Sequence, residues 1–331
     1  MVPHKMKKTT FDAWNGYHSI ALDPDDKHLT TFITPWGRFR YCVCPQGYIA
    51  SGDAYTRRFD EIICDIKNKT KVIDDTIMWA PSIEESFFQT AKFLEICGKN
   101  GIILNPSKFA FARNTVNFAG FEISTTSVRP CPQLFEAIMK YPTPKTLTDV
   151  RSWFGLTNQV SYAFACAEKM QPFRALLQAK IPFKWTPNLD DIFEETKTVI
   201  IQEIQKGVEI FDKNKPTCLA TDFSKDGIGY WLLQKHCSCK TSKPFCCPDG
   251  WKVTLVGSRF TSAAESRYAP IEGEALAVVE ALNKTRHFVL GCPNLIIAVD
   301  HKPLLKVFGD RDLDKIPNPR LRNFSHTYSL M

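Results

Sequence analysis

The chain predicts an α/β fold built from an α+β first part, a helical middle third and a mixed α/β sheet at the end. Three observations lead there. The nine residues Val72-Ile-Asp-Asp-Thr-Ile-Met-Trp-Ala80 set two short β-prone runs around a bare Asp74-Asp75 pair, which reads as a tight hairpin with both carboxylates at its tip. Residues 148 to 207 carry apolar positions at helical spacing. From Pro216 onward, three strands, a helix and a last apolar strand follow one another, the pattern of a mixed sheet with a covering helix.

Taken in order, residues 9 to 33 begin with a short β-prone stretch ending at Asp12, and a glycine turn brings Tyr17 close behind it. Trp36 to Cys44 reads as a strand leading into the loop Pro45-Gln46-Gly47-Tyr48, and Ser51 to Asp65 as an amphipathic helix carrying Arg57 and Arg58. After the aspartate hairpin, Ser82 opens a helix whose Phe87, Phe88, Ala91, Phe93, Leu94 and Ile96 form the expected buried face, ended by Gly98 and Gly101. A β-prone run, Val116 to Ile123, closes this part near Val128. Pro130, Pro132, Pro142 and Pro144 then mark a boundary. Helices are expected over 148–167, 167–179 and 188–207, the last with Pro187 in its first turn. The final part has strands at 218–222, 228–234 and 253–260, a helix opened by Pro270, and the buried strand Leu295 to Val299. The boundaries expected are 1–128, 129–211 and 212–331.

With 331 residues, 44% hydrophobic and 23% charged, the chain has ample core material for two or three domains. No secretory leader is evident, and the longest apolar stretch, Phe288 to Val299, is broken by Gly291, Pro293 and Asn294, so neither a bilayer span nor secretion is expected. Twelve cysteines without a leader are expected to stay reduced or to bind metal. A net charge of +7 permits binding to a polyanion.

The chemistry concentrates in acids standing where apolar strands end. Asp12, Asp74 and Asp75 form one set, and Asp222, Glu274 and Asp300 another. Adjacent aspartates repel unless a cation lies between them, and magnesium favours carboxylate oxygens completed by water and phosphate. Two ions about 4 Å apart can clamp the attacking and leaving oxygens of a phosphoryl displacement. The bland reading of each acid alone is a solvated surface charge. Helical periodicity does not choose between Glu272 and Glu274.

The motifs, in order, resemble the Pol polyprotein of Gypsy-type long-terminal-repeat retrotransposons, from the reverse transcriptase palm into the RNase H domain. The resemblance runs through Phe11-Asp12-Ala-Trp-Asn-Gly-Tyr17-His, Pro45-Gln46-Gly47, Ile73-Asp74-Asp75, Leu104-Asn-Pro-Ser-Lys108 and Val116-Asn-Phe-Ala-Gly120. It continues in Arg151-Ser-Trp-Phe-Gly-Leu156, Pro182-Phe-Lys-Trp185, Thr221-Asp222, Glu274-Ala-Leu-Ala and Val299-Asp300-His-Lys-Pro-Leu304, covering roughly residues 9 to 322. It implies the palm of a right-hand polymerase, a helical thumb and connection, and an RNase H-like sheet. It implies RNA-directed DNA polymerisation and cleavage of RNA–DNA hybrids, each with two Mg2+ per active site. Asp12, Asp74 and Asp75 would hold the polymerase ions, and Asp222, Glu274 and Asp300 the nuclease ions. Tyr17 would exclude a 2′-hydroxyl, Gln46 and Gly47 would line the incoming nucleotide, and Lys108 would give a proton to pyrophosphate. The implied partners are an RNA template, a DNA primer, the hybrid and deoxynucleoside triphosphates, in the cytoplasm, an element particle or the nucleus.

Three departures qualify that resemblance. Few residues precede Thr9 where the family carries a fingers segment that grips the triphosphate; Val72 stands where the family has an aromatic tyrosine; and the residues after Arg322 do not resemble the family's last helix with its fourth acid. Impaired catalysis is therefore one expectation, and a catalytically inactive remnant that binds nucleic acid is the alternative. Separately, Cys237, Cys239, Cys246 and Cys247 could bind structural Zn2+, although adjacent cysteines rarely share an ion; the alternative is reduced surface thiols.

Overall fold

The computed structural model describes residues 2–177, 182–241, 243–309 and 313–329. It forms two compact units, Met1–Thr126 and Ser127–Met331. Among the described residues, no helix is long and apolar enough to cross a membrane.

The first unit contains, in chain order, β1 (Lys7–Asp12), β2 (Phe32–Thr34), β3 (Gly37–Phe39), α1 (Ser51–Ile62), β4 (Lys69–Val72), β5 (Asp75–Ala80), α2 (Ile83–Lys99), β6 (Ala110–Arg113), β7 (Val116–Phe118) and β8 (Phe121–Ile123). Its main sheet has the order β4-β5-β1-β6, and its pairings are antiparallel. The two central strands are buried on both faces. Phe11 and Met78 pack against Tyr55, Phe59 and Ile63 of the α1 region and Phe93 of α2, while Ile77 and Trp79 meet Val2, Val116 and Phe118 on the other side. That explains why residues 77–80 are apolar throughout instead of alternating.

Several expected elements differ here. The strand expected over 36–44 ends at Phe39; beyond it Cys42 O accepts from Leu22 N at 3.1 Å and Cys44 N donates to Ile20 O at 2.8 Å, so the chain turns to pair with residues 20–22. The run 116–123 is a hairpin, turning through Ala119 and Gly120 with φ of 48° and 84°. Ser82 does cap α2, accepting from Glu85 N at 3.1 Å, but the buried face is Ser86, Thr90, Phe93 and Cys97, leaving Phe87, Phe88 and Leu94 exposed. Gly98 lies inside that helix.

The second unit contains β9 (Ser127–Pro130), α3 (Pro132–Met139), α4 (Leu147–Asn158), α5 (Cys166–Arg174), α6 (Pro187–Lys206), β10 (Val208–Glu209), β11 (Thr217–Phe223), β12 (Gly227–Lys235), β13 (Trp251–Phe260), α7 (Pro270–Val289), β14 (Leu295–Ala298), α8 (Leu304–Phe308) and α9 (Pro319–Ser329). Helices α3 to α6 bury Ile138, Val150, Trp153, Phe173, Phe193 and Ile200 in one core. The expected helix over 148–167 stops at Asn158, because Tyr162 leaves helical geometry to accept, through its carbonyl, a 2.7 Å hydrogen bond from Val256 N of β13. The end expected for the next helix, Ala179, lies outside the described residues. The sheet runs β13-β12-β11-β14, with β14 parallel to β11 and the other pairs antiparallel. Helix α7 covers one face through Val278, Ala281 and Leu282 against Leu219 and Leu232. The strand β14 is only half-buried, although its sequence is wholly apolar.

Candidate active sites

In the first unit, β1 and β5 are register partners to their last residues, which sets Asp12 directly across from Asp75. The hairpin is shifted by one residue from the expected one. Val72 pairs with Asp75, so the turn is Ile73-Asp74, and Asp75 begins the strand instead of sharing the tip. Ile73 has φ of 53°, a left-handed conformation that a β-branched side chain adopts only under strain. Asp74 Oδ1 is buried, and the Tyr55 hydroxyl of α1 faces Asp74 without a well-formed hydrogen bond among the described residues. Burial holds the Asp74 carboxyl above the usual carboxylate range; the Asp12 charge adds to this, while Tyr55, Lys71 and Lys108 oppose it. Burial and then the Asp12 charge raise Asp75 likewise. Lys108 Nζ lies 2.7 Å from Asp12 Oδ2, and this contact raises the lysine's pKa.

The other residues expected here are placed differently. Tyr17 is half-buried with its ring 5.4 Å from that of Tyr55. Gln46 and Gly47 are exposed in their loop, Gly47 at φ of 90°, and among the described residues neither is hydrogen-bonded to the three acids. Tyr55 was not expected as part of this site. The spacing of Tyr55, Phe59 and Ile63 signals only a buried helical stripe, and nothing local says that a hydroxyl on it meets an aspartate.

In the second unit, Asp222 at the end of β11, Glu274 in the first turns of α7 and Asp300 just beyond β14 come together. Each offers a carboxylate oxygen, and these atoms all lie within 4.8 Å of one another. Asp222 and Asp300 are exposed, whereas Glu274 is 7% exposed, with Oε2 buried and unpartnered among the described residues. Burial first, then the charges of Asp300 and Asp222, push its carboxyl up to about 7. Glu272 lies elsewhere: its carboxylate accepts from Ala269 N at 3.1 Å and Asn318 Nδ2 at 2.8 Å, and it pairs with Arg320 at 3.2 Å.

Gly273 sets this spacing, because a Cβ there would fall 2.2 Å from the Phe223 ring. The absent side chain lets the end of β11 lie against α7 and brings Asp222 to Glu274. Asp222 also borders a cleft of about 420 Å3 lined by Gln171, Ser224, Asp226, Trp231 and Ser258. The second set fits divalent magnesium: three hard oxygen donors converge, and Glu274 Oε2 is a buried carboxylate oxygen with no hydrogen-bond donor among the described residues. Asp12, Asp74 and Asp75 offer the same donor chemistry, but among the described residues they do not all gather to that distance.

Residues 4–123 match the family described as reverse transcriptase (RNA-dependent DNA polymerase). Residues 212–327 match the RNase H-like domain found in reverse transcriptase. The chain therefore joins a reverse transcriptase domain to an RNase H-like domain. Both families are enzymatic. This reverse transcriptase–RNase H chain is related to the retrovirus-related Pol polyprotein from transposon gypsy of Drosophila melanogaster, at 26% identity over 318 residues, covering 92% of the chain and 29% of the polyprotein. It is similar to the transposon Tf2-3 polyprotein of Schizosaccharomyces pombe, at 26% identity over 304 residues, 90% of the chain and 22% of the polyprotein. The chain thus spans less than a third of either relative. In fold it resembles the foamy viral protease-reverse transcriptase solved in complex with an RNA/DNA hybrid, with a TM-score of 0.80, 21% identity, and coverage of 98% of this chain and 43% of that one. The same viral protein solved in complex with dsDNA matches with a TM-score of 0.77 and 22% identity, over 96% of this chain and 63% of that one.

Proposed function

We propose that the second unit cleaves the RNA strand of RNA–DNA hybrids at Asp222, Glu274 and Asp300, and that the first unit extends a DNA primer on an RNA template at Asp12, Asp74 and Asp75. The observation that carries this reading is the convergence of three carboxylates around the buried, unpartnered Glu274 Oε2. Such a group is costly to bury and keeps its place where a ligand compensates it. Magnesium held by each set would supply Lewis acidity toward phosphate and water.

The chain's own groups do the positioning. The register of β1 on β5 and the close approach of Phe223 to Gly273 fix the acids before substrate arrives. Lys108 holds its proton at Nζ beside Asp12, a cation suited to pyrophosphate as its negative charge develops. Tyr17 is read as the residue that meets the sugar and excludes a 2′-hydroxyl, and Gln46 with Gly47 as the wall beside the incoming deoxynucleotide. We assign 1–128 to the palm, 129–211 to the thumb and connection, and 212–331 to the nuclease fold, acting on template, primer and hybrid inside the cell.

One observation favours a second reading for the first unit, in which it only binds nucleic acid. Lys108 neutralises Asp12 directly, and a metal would have to displace that ion pair. Incubating labelled RNA–DNA hybrid with magnesium and comparing the natural chain with Asp222→Asn tests the nuclease. Cleavage by the natural chain that is lost, by a hundredfold or more, in the variant is expected. An uncut hybrid with both proteins would leave nucleic-acid binding as the function of the chain.

A further inference from the structure

Among the described residues, the connection between β12 and β13 makes few apolar contacts. They are those of Cys246 with the cluster around Trp251 and of the Phe245 ring, 6.4 Å from the Trp251 ring. A segment this small needs a staple other than a core. Four thiols supply the means. Sγ of Cys237, Cys239, Cys246 and Cys247 all lie within 4.8 Å of one another, with Cys237 and Cys246 at 3.4 Å.

We propose that Cys237, Cys239, Cys246 and Cys247 form a closed structural zinc site that fastens the β12–β13 connection. A tetrahedral zinc with four bonds of about 2.3 Å requires sulfur–sulfur edges of about 3.8 Å, so the cluster already has the required scale. Four protein ligands leave no position for water or substrate, which makes the role structural. The spacing alone argues against this site, because adjacent side chains usually diverge. Here the chain passes through Phe245 at φ of 56° immediately before the pair, and both Cys246 and Cys247 reach the cluster.

The surroundings are fitted to the thiols. At Gly250 a Cβ would lie 2.4 Å from Cys247 Sγ and 2.8 Å from Cys237 Sγ, so the sulfurs occupy the space that any other residue would fill. His236 N donates to Gly250 O at 2.7 Å, which closes the base of the loop. Lys235 Nζ donates to Cys239 O and, at 2.7 Å, to Thr241 O, setting a positive charge inside the loop that carries the ligands. A zinc with four thiolates bears net negative charge, which that ammonium opposes. Binding needs no oxidant: each thiol gives its proton to solvent as its sulfur takes the metal.

Metal analysis of the full chain, purified without chelator, tests the site. One zinc per chain is expected, retained by Asp222→Asn, which excludes the acid cluster as its source, and lost by Cys246→Ser and by Cys247→Ser. Replacing zinc with cobalt in the natural chain gives a reading that does not depend on how the variants fold. Thiolate-to-cobalt charge transfer with tetrahedral ligand-field bands is the expected result. Zinc that survives both cysteine substitutions, a spectrum of six-coordinate cobalt, or metal-free protein whose four thiols react freely or join as disulfides would overturn the proposal. The nuclease reading stands apart from any of these outcomes.

Discussion

At the scale of single residues, the sequence singles out carboxylates at the ends of apolar strands, and among the described residues the structure gathers Asp222, Glu274 and Asp300. The choice between Glu272 and Glu274 was not legible, since both flank the apolar stripe of one helix. What separates them lies far along the chain: Asn318 and Arg320 bind Glu272, whereas Glu274 faces Asp222 and Asp300 with no donor for Oε2. That isolation has a measurable consequence. In metal-free protein the Glu274 carboxyl titrates near 7 against 4.5 unfolded. The unfolded state releases this proton first as pH rises, so stability falls between about 4.5 and 7 and is flat above. Glu274→Gln should therefore raise the free energy of unfolding in chelator at pH 8 by up to about 3 kcal/mol, and the melting temperature with it, and change both little at pH 4. Saturating magnesium should narrow the difference at pH 8. Differential scanning calorimetry at the two pH values checks this, and a variant less stable at pH 8 would contradict it.

At the scale of elements, the sequence gives the order of strands and helices more faithfully than their ends. Ends are decided by partners. The strand begun at Gly37 stops at Phe39 because the following backbone pairs with residues 20–22, and α4 stops at Asn158 because Tyr162 binds β13. The exposed face of α2 deceived for a related reason: Ser86 and Thr90 are small enough to lie against the sheet, so bulkier Phe87 and Phe88 turn outward. The packing of α7 on β11 rests on a residue with no side chain. Gly273→Ala should cost roughly 1–3 kcal/mol, because the Phe223 ring must move to admit the methyl group. It should also lower hybrid cleavage by moving Glu274 away from Asp222. Adding Phe223→Ala should restore part of the magnesium-dependent activity that the single variant loses. Urea denaturation and cleavage rates of the single and double variants check the pair, and an unperturbed Gly273→Ala would remove the close approach from the account.

At the scale of the whole chain, motif order made the two domain families legible, and the first expected boundary, 128, lies two residues from the division into compact units. The prolines that mark the boundary are also used structurally: Pro132 starts α3, and Pro130 and Pro144 are buried. The helices after them belong to the same compact unit as the last sheet, and the division falls after Thr126. Each acid set therefore lies within one unit. Separable activities follow. Asp74→Asn should abolish primer extension on an RNA template and leave hybrid cleavage within about twofold, and Asp222→Asn should do the reverse. Hybrid affinity should weaken steeply with salt in both variants, since phosphate neutralisation by a chain of net charge +7 does not depend on either acid. Assaying extension, cleavage and salt-dependent binding on the same preparations distinguishes the cases. Loss of cleavage in Asp74→Asn would mean that the two sites share a folding or substrate-holding requirement that the separate units do not reveal.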